Sequence, residues 1–385
     1  MAMIPKDPPR TRQPPPRLII SESESGADML YATRFRAPDP FVFLEYRGRT
    51  SILLNDLELD RGRREAQVDE VVSSTDLERI LREKTGKTPS SLDVIATFLK
   101  DRKALLPRVA GDFPLGLALE LKQRGIVVKP VERMLFPERE IKTPDEVRLM
   151  TRATRITESG MKRAFEILLA SRIGSRGVLT WGGTTLTAER LRMEVEGTML
   201  REGGIPAGNS IVACGEQACD PHERGHGPLK ANQLLILDLF PRAAASRYYG
   251  DLTRTVVKGK ATEAQWRLWE TCLSGQQMAL SELKPGASGD AIHEQVKQYF
   301  TGQGYPTQRL NNRWSGFFHG TGHGLGLDLH ESPRFGAGRL KAGQVFTIEP
   351  GIYIPGLGGV RHEDVVLITE RGHRQISRLA KPFEI

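Results

Sequence analysis

The chain has 385 residues, of which 39% are apolar and 26% are charged, and it carries a formal net charge of +8. This composition is ordinary for a folded globular protein, and the length suffices for two domains with sizeable hydrophobic cores. No apolar run approaches the roughly 20 residues of a membrane span, and the first ten residues lack the apolar segment of a secretory signal.

The positive charge raises the question of nucleic-acid binding, but the basic residues are scattered along the chain. Short basic clusters, such as those at residues 46–49 and 61–64, are flanked by acidic residues. A solvated basic surface is the simpler explanation, and we predict neither a nucleic-acid nor a membrane partner.

The three cysteines are an odd number without a paired framework, which favours a reducing compartment. We therefore expect a cytoplasmic protein. Residues 1–17 end in a proline run between arginines, a composition that cannot pack a core, and they are predicted to form a disordered tail.

The segment from residue 18 to residue 138 alternates strand-like apolar runs with helical patterns. The strand-like runs are residues 41–44 and 51–54, and the helical patterns cover residues 77–84 and 115–124. Such alternation is typical of an α/β domain, so we place a smaller α/β amino-terminal domain at residues 18–138.

A polar segment at residues 137–142 precedes a strong helix start. Thr143-Pro-Asp-Glu146 supplies an N-cap, a first-turn proline and a capping-box glutamate, and the apolar pattern that follows runs to about Leu169. A similar start at Thr262-Glu-Ala-Gln265 predicts a second long helix. We place the second domain at residues 139–385.

Two aspartates lie in segments that read as strands. Asp238 is the one acid in the nearly continuous apolar run 233–240, where a buried lone carboxylate is costly unless a cation or hydrogen bonds compensate it. Asp251 opens the β-branched and aromatic run that follows. An antiparallel hairpin of the two runs would bring the aspartates together.

His319 and His323 lie in a glycine-rich segment and are four residues apart, the spacing of helical zinc motifs. Glycines at every second position of 320–326 argue against a helix, so we predict an extended segment. His330 and the glutamate after it begin like the zinc-helix motif His-Glu-x-x-His, but Arg334 stands where the second histidine would be, which excludes that motif.

Glu349 and Glu363 are acids embedded in strand-forming residues near the carboxyl end. Either one alone would be read as an edge or salt-bridged residue. The ordered combination of four carboxylates and one imidazole instead predicts a two-metal hydrolytic site. Its candidate ligands are Asp238, Asp251, His323, Glu349 and Glu363.

With these residues the chain resembles the pita-bread metallopeptidases, the family of methionine aminopeptidase, aminopeptidase P and prolidase. Residues 251–255, 348–353, 359–361 and 363–364 are most similar to the Xaa-Pro branch of prolidase and aminopeptidase P. The resemblance implies an α+β protein whose carboxyl-terminal pita-bread domain has a curved antiparallel sheet flanked by helices. The amino-terminal domain, similar by length and general pattern, would be creatinase-like.

The resemblance also implies roles for the candidate ligands. Asp238 would chelate the first metal, and Asp251 and Glu363 would bridge both metals. His323 and Glu349 would complete the second, and Glu349 could relay a proton to the leaving amine. Two divalent cations lower the pKa of a water between them and polarise the scissile carbonyl. Mn²⁺ suits the oxygen-rich set best, with Co²⁺ and Zn²⁺ as alternatives.

Four further residues resemble groups around the metals in this family. His222 is similar to a second-sphere or substrate-contacting histidine, His319 would shape the pocket for the proline-like residue, and His330 would hydrogen-bond the substrate. Arg361 would pair with a ligand carboxylate and steady it.

The chain departs from the family pattern in the hairpin. Phe240 stands where the family has glycine, and residues 242–246 resemble a small insertion between Asp238 and Asp251, which are 13 positions apart. We expect these changes to alter the loop and the pocket rim more than the metal site.

The resemblance implies a peptidase that removes an amino-terminal residue ahead of proline, acting on peptides with proline at the second position, and it suggests a homodimer. The 14 positions from Glu349 to Glu363 favour prolidase over aminopeptidase P, and both remain open. The alternative from another class is a non-catalytic peptide- or protein-binding member of the fold, but such members usually lack ligands. Creatinase-like chemistry does not need the metals, and methionine aminopeptidase lacks the extra domain.

Overall fold

The computed structural model describes residues 14–208 and 210–385. The chain divides into two compact units, one ending at Pro137 and the other beginning at Glu138. The predicted disordered tail lies outside the described residues for positions 1–13, and Arg17, its last residue, begins the first strand.

The first unit is built on a mixed sheet. Its elements are β1 (Arg17–Ser21), α1 (Ala27–Thr33), β2 (Phe41–Tyr46), β3 (Arg49–Leu54), α2 (Asp56–Glu65), β4 (Glu70–Ser73), α3 (Ser74–Thr85), α4 (Ser91–Asp101), β5 (Arg108–Val109), α5 (Leu115–Gln123) and β6 (Lys129–Pro130). The strand order is β4-β3-β2-β1-β5-β6. The predicted strands at 41–44 and 51–54 and the predicted helices at 77–84 and 115–124 are confirmed as β2, β3, α3 and α5.

Strand alternation gives this sheet two buried faces. In β2, Val42 and Leu44 pack in the cluster that contains Phe98 of α4, whereas Phe41 and Phe43 pack in the cluster that contains Met29 of α1. Successive side chains of a strand point to opposite faces, so the four consecutive apolar residues 41–44 of β2 require a cover on both sides. The predicted α/β character of this unit follows from that packing.

The second unit contains the longer helices and several small sheets. Its first elements are α6 (Pro144–Ala170), β7 (Arg172–Ile173), β8 (Leu179–Trp181), β9 (Thr184–Thr185), α7 (Ala188–Arg201), β10 (Gly204–Ile205), β11 (Ile211–Cys214), β12 (Leu234–Leu239), β13 (Arg242–Ala243), β14 (Leu252–Val257) and α8 (Glu263–Ser281). The chain ends with α9 (Gly289–Gly302), β15 (Gln308–Leu310), β16 (Arg313–Ser315), β17 (Val345–Ile348), β18 (Gly351–Ile354), β19 (Gly358–Arg361), β20 (Asp364–Thr369) and β21 (Gly372–Gln375).

Both long helices begin where the sequence predicts. Thr143 caps α6 and Thr262 caps α8, each with the reciprocal hydrogen bonds of a capping box. In α6 the capping glutamate, Glu146, is buried and also accepts a hydrogen bond of 2.6 Å from the Tyr248 hydroxyl. The helix start is thereby tied to the segment that leads into β14.

The strands that carry the candidate ligands pair in antiparallel fashion. β12 lies between β11 and β14, and β20 lies between β17 and β21. The predicted hairpin of the two aspartate-bearing runs is therefore confirmed as β12 and β14. The insertion between them is not a free loop, because its Arg242–Ala243 strand, β13, pairs with β10.

Alternation along β12 decides where Asp238 points. Leu235 and Leu237 pack against α6 and α7 in one core, whereas Ile236 packs on the opposite face with Tyr353. Asp238 is two positions beyond Ile236 and so lies on that second face. A second core includes residues of α8, α9, β17 and β20.

Among the helices of residues 14–208 and 210–385, none combines the length and apolar composition that a membrane span requires.

Candidate metal centre

One cavity of the second unit, with a volume of about 640 Å³, gathers the residues singled out in the sequence. Its walls include all five candidate ligands and the four further candidates: Asp238, Asp251, His323, Glu349 and Glu363, together with His222, His319, His330 and Arg361. These residues come from strands and loops far apart in the chain, so the tertiary fold brings them together.

The register of β12 and β14 places the two aspartates on one face. Asp238 pairs with Thr253, and Asp251 lies two positions before Thr253 on the same side of the strand. The two side chains are therefore diagonal neighbours across the pair, within the reach of one ligand cluster.

The two glutamates flank a second strand pair. Glu349 follows β17, whose last residue, Ile348, pairs with Asp364 of β20, and Glu363 precedes β20. The Glu363 amide donates to the Thr253 carbonyl at 3.2 Å, and the Thr253 hydroxyl donates to Glu363 Oε2 at 2.8 Å. These bonds fix Glu363 against β14, the strand that follows Asp251.

His323 lies in an extended segment beside β17, as predicted, and not in a helix. The His323 amide donates to the Thr347 hydroxyl at 3.1 Å, and the Thr347 amide donates to the His323 carbonyl at 2.9 Å. A Cβ at Gly322 would lie 1.9 Å from the Thr347 carbonyl oxygen, so only glycine fits at that position. The alternating glycines therefore permit the close pairing that positions His323.

The hydrogen bonding of His323 leaves one ring nitrogen for a ligand role. Nδ1 lies 3.1 Å from the Gly324 carbonyl oxygen and must be the protonated nitrogen, because a carbonyl only accepts. Nε2 lies 3.5 Å from both Asp251 Oδ2 and Glu349 Oε1. Burial lowers the pKa of His323 to about 4, so its ring is neutral near pH 7. The Nε2 lone pair then faces two carboxylates, an arrangement that a cation between them would stabilise.

The buried carboxylates would likewise be stabilised by a cation. Burial, and then the neighbouring carboxylates, raise the pKa values of Asp251 and Glu363 well above their usual range. Burial raises the pKa of Glu349 to about 7. Asp238 Oδ1 is buried without a hydrogen-bond partner among the described residues.

One ligand atom each of Asp251, His323 and Glu363 lies within 4.8 Å of the other two. Together with Asp238 and Glu349 they form a set of four carboxylates and one imidazole, which fits divalent cations that prefer oxygen ligands. The donor set, the lone pair of His323 and the unpartnered oxygen of Asp238 each indicate a site that fits a divalent cation.

Arg361 lies beside the candidate ligands and is almost completely buried. Its guanidinium donates to Asp238 Oδ2 at 2.6 Å, to the Tyr353 hydroxyl at 2.8 Å and to the Thr253 hydroxyl at 3.3 Å. Nearby Tyr353, Asp238 and Glu349 outweigh its burial and raise the pKa of Arg361 well above its usual range. The arginine therefore stays charged and fixes one oxygen of Asp238, leaving Oδ1 for a metal.

His319 is held in one tautomer by its neighbours. Because Arg361 donates to the Tyr353 hydroxyl, that hydroxyl is free to donate in turn to His319 Nε2, 2.8 Å away. His319 Nδ1 then carries the proton and donates to the Gly320 carbonyl at 2.9 Å. Burial lowers the pKa of His319 to about 3, so the ring is neutral. Both nitrogens are occupied, and His319 contributes its shape to the cavity.

The other two candidate histidines lie further out. The His330 ring packs edge-on against the His323 ring with the centroids 4.3 Å apart, and burial lowers the pKa of His330. His222 lines the same cavity and is exposed. Neither ring has a hydrogen bond from its nitrogens to a described residue.

The loop that carries His330 is anchored by a buried charge cluster. Glu331 accepts from Arg139 at 2.5 Å and from Lys142 at 2.5 Å, and the three side chains are at most 5% exposed. Glu331 Oε2 also accepts from the amides of Leu327 and Asp328 at 3.0 and 3.2 Å. One buried carboxylate thus joins the loop to the segment before α6.

Sequence reasoning missed Tyr353, Thr253 and Glu331 as supporting residues. A signal for Thr253 was present, since it is two positions after Asp251 and shares its face of the strand. Tyr353 lies in a buried strand, where its hydroxyl needs a partner, but only the fold identifies Arg361 and His319 as those partners. Nothing in the sequence pairs Glu331 with Arg139, 192 positions away.

Replacing Arg361 by lysine should lower the affinity for Mn²⁺ by about 10–100-fold, the usual cost of losing a partner of a metal ligand. Arg361 reaches Asp238, Tyr353 and Thr253 from three separate nitrogens, whereas a lysine has one nitrogen and lacks this planar fork. Calorimetric titration of metal-stripped protein with Mn²⁺ measures the effect. Tyr353→Phe, which keeps the Arg361–Asp238 bond, should weaken Mn²⁺ binding less than Arg361→Lys does. Equal Mn²⁺ affinities for the unaltered protein and both variants would contradict the assigned role of Arg361.

Comparison with known proteins places these observations in a family. The model of metallopeptidase family M24 matches residues 148–370. The chain is 30% identical over 314 residues to an Xaa-Pro dipeptidase of Pyrococcus furiosus, covering 79% of this chain and 83% of that protein.

Solved structures agree in fold. The prolidase from Pyrococcus horikoshii OT3 superposes with a TM-score of 0.76 at 25% identity, covering 95% of this chain and 94% of that one. An X-Pro aminopeptidase from Thermotoga maritima superposes with a TM-score of 0.79 at 22% identity, covering 96% and 97% of the two chains. The predicted resemblance and pita-bread fold are confirmed, and the chain belongs to metallopeptidase family M24.

Proposed function

We propose that this metallopeptidase hydrolyses the bond between an amino-terminal residue and a following proline. The observation that carries the proposal is the convergence of five metal-ligand side chains on one cavity. The relatives named above, an Xaa-Pro dipeptidase and an X-Pro aminopeptidase, support the choice of bond. A non-catalytic role is not favoured, because every candidate ligand position holds a side chain that can bind metal.

In this proposal Asp238 would hold one divalent cation, His323 and Glu349 would hold a second, and Asp251 and Glu363 would serve both. When bound, the cations would activate water and polarise the scissile carbonyl. Oxygen-rich ligation favours Mn²⁺. Arg361 keeps Asp238 oriented, and Thr253 does the same for Glu363.

Glu349 is suited to move the proton that the reaction requires. The proline nitrogen carries no hydrogen in the peptide bond, so it must gain a proton as the bond breaks. The Glu349 carboxylate, which lines the cavity, would be placed to take up a proton and pass it to that nitrogen. Thr347, whose hydroxyl lies 3.5 Å from Glu349 Oε1, helps to hold this carboxyl group in place.

The cavity offers an apolar wall for the proline ring. Ile211, Phe240, Phe318 and Leu329 line it, and the neutral His319 ring lies beside them. Phe240 is the residue that replaces the family glycine, so this departure adds apolar surface to the cavity. His222 and His330, whose ring nitrogens are free of described partners, are placed to hydrogen-bond the polar groups of a peptide.

The proposal is tested with metal-stripped protein and the peptides Ala-Pro, Ala-Pro-Ala and Ala-Ala. We expect cleavage of a proline peptide only after Mn²⁺ is added, with two ions bound per chain, and little cleavage of Ala-Ala. Preference for Ala-Pro would identify a prolidase and preference for Ala-Pro-Ala an aminopeptidase P. Two bound ions without cleavage of either proline peptide would contradict the proposed substrate.

We further propose cleavage of dipeptides in preference to longer peptides, a homodimer and a cytoplasmic location. The step of 14 positions between Glu349 and Glu363 supports the first, and the family resemblance supports the second. The three free cysteines, Cys214, Cys219 and Cys272, support the third.

A further inference from the structure

Two arginines line the cavity, and they differ in how their charges are used. The buried guanidinium of Arg361 bonds Asp238, Tyr353 and Thr253, so it is fully engaged. Arg224 is exposed, and its side chain makes no hydrogen bond or ion pair with any residue of 14–208 or 210–385. Arg224 is therefore the cavity arginine whose charge is available to a ligand.

The backbone at Arg224 is nevertheless held firmly. Its carbonyl accepts a hydrogen bond of 2.9 Å from the Val212 amide and another from the Arg192 guanidinium. Arg192 also donates to the Gly225 carbonyl at 2.8 Å. Gly225 has a φ of +81°, and a Cβ there would lie 1.7 Å from the Val212 carbonyl oxygen. The fold thus fixes the main chain of Arg224 against β11 without using its side chain.

An exposed arginine is usually a solvated surface residue, but the location of Arg224 argues otherwise. It lies on the wall of the cavity that holds the candidate metal centre, two positions after His222, which lines the same wall. A guanidinium is the side chain best suited to bind a carboxylate, because its fork makes two parallel hydrogen bonds. A peptide substrate carries carboxylates as well as its terminal ammonium group, and of these only a carboxylate attracts a guanidinium.

We propose that Arg224 is a specificity-determining residue that pairs with a carboxylate of the peptide substrate. This inference rests on the proposed function. Two sources of the carboxylate fit the same chemistry: the carboxyl terminus of an Xaa-Pro dipeptide, or an acidic side chain of the substrate.

The test compares Arg224→Gln with the unaltered Mn²⁺-loaded protein on Ala-Pro, Ala-Pro amide and Glu-Pro amide. Losing a hydrogen bond to a charged group should lower kcat/KM for the recognised substrate by about 10–100-fold, mainly through KM. Arg224→Lys should restore part of the loss, because it keeps the charge without the fork. Arg371→Gln, in an exposed turn after β20, is the matched control for net charge.

A loss confined to Ala-Pro supports the inference and identifies the terminal carboxylate. A loss for Glu-Pro amide without one for Ala-Pro amide supports it and identifies an acidic side chain. If Arg224→Gln changes kcat/KM by the same factor for all three substrates, or if Arg371→Gln shows the same change, the role of Arg224 is overturned. The proposed function is left intact by either result. Absence of cleavage by the unaltered protein overturns both. Ratios between substrates are independent of the active fraction, so partial misfolding of a variant does not obscure the result.

Discussion

Replacing Glu363 by glutamine should abolish metal-dependent cleavage while making the metal-free protein more stable. Glu363 is 2% exposed, and burial together with Asp251, Glu349 and Asp238 raises its pKa well above the usual value of 4.5. A carboxyl group whose pKa is higher in the folded than in the unfolded state takes up a proton on folding, so it lowers stability increasingly as pH rises above 4.5. Glutamine removes that cost and keeps an oxygen for the Thr253 hydroxyl.

We expect the free energy of unfolding of the metal-free variant to rise by about 1–3 kcal/mol, the cost of burying an uncompensated polar group. At about 2–4 °C per kcal/mol, thermal unfolding resolves this gain in Tm, which should be larger at pH 8 than at pH 5.

Metal addition should reverse the order of the two proteins. Mn²⁺ should raise the Tm of the unaltered protein because a ligand bound only by the folded state stabilises it. It should do so far less for Glu363→Gln, whose activity should fall by more than about 100-fold, since loss of even an outer partner of a ligand costs 10–100-fold. Glu370→Gln, in the exposed turn after β20, is the control and should behave like the unaltered protein. A variant with the same Mn²⁺ response as the unaltered protein would show that Glu363 is not a ligand.

Replacing Glu331 by glutamine should lower the free energy of unfolding by about 3–5 kcal/mol, the usual cost of leaving a buried charge without its partner. Glu331 holds both Arg139 and Lys142, and it is 3% exposed. Glutamine keeps the shape, but it removes the negative charge and places a donor against one of the two cations. Urea unfolding of the metal-free protein, followed by circular dichroism, measures the loss.

Asp328 provides the matched control, because it pairs with the same arginine at 2.8 Å but is 48% exposed. Asp328→Asn should cost less than about 1 kcal/mol, as for other solvated ion pairs. Glu331→Gln should also reduce cleavage, since the loop that it anchors carries His330. Equal stability losses for the two variants would mean that burial does not set the strength of this cluster.

The sequence by itself determined the local structure of this protein. The capping boxes at Thr143 and Thr262 specify where α6 and α8 begin, because their hydrogen bonds close within one turn of helix. The apolar run around Asp238 specifies a buried strand, and the alternating glycines of 320–326 argue against a helix at His323. The order of acids and histidine also sufficed for the family resemblance, which the comparisons confirm.

Only the tertiary structure decided which side chains meet, and at what distance. The register of β12 and β14, the tautomers of His319 and His323, and the engagement of Arg361 all depend on partners distant in the chain. The same holds for Glu331, whose cationic partners are 189 and 192 positions away. The physical reason is that burial, electrostatic repulsion and hydrogen-bond geometry depend on spatial neighbours. A sequence pattern identifies the chemical groups, and the packing of the strands sets their charge states and their roles.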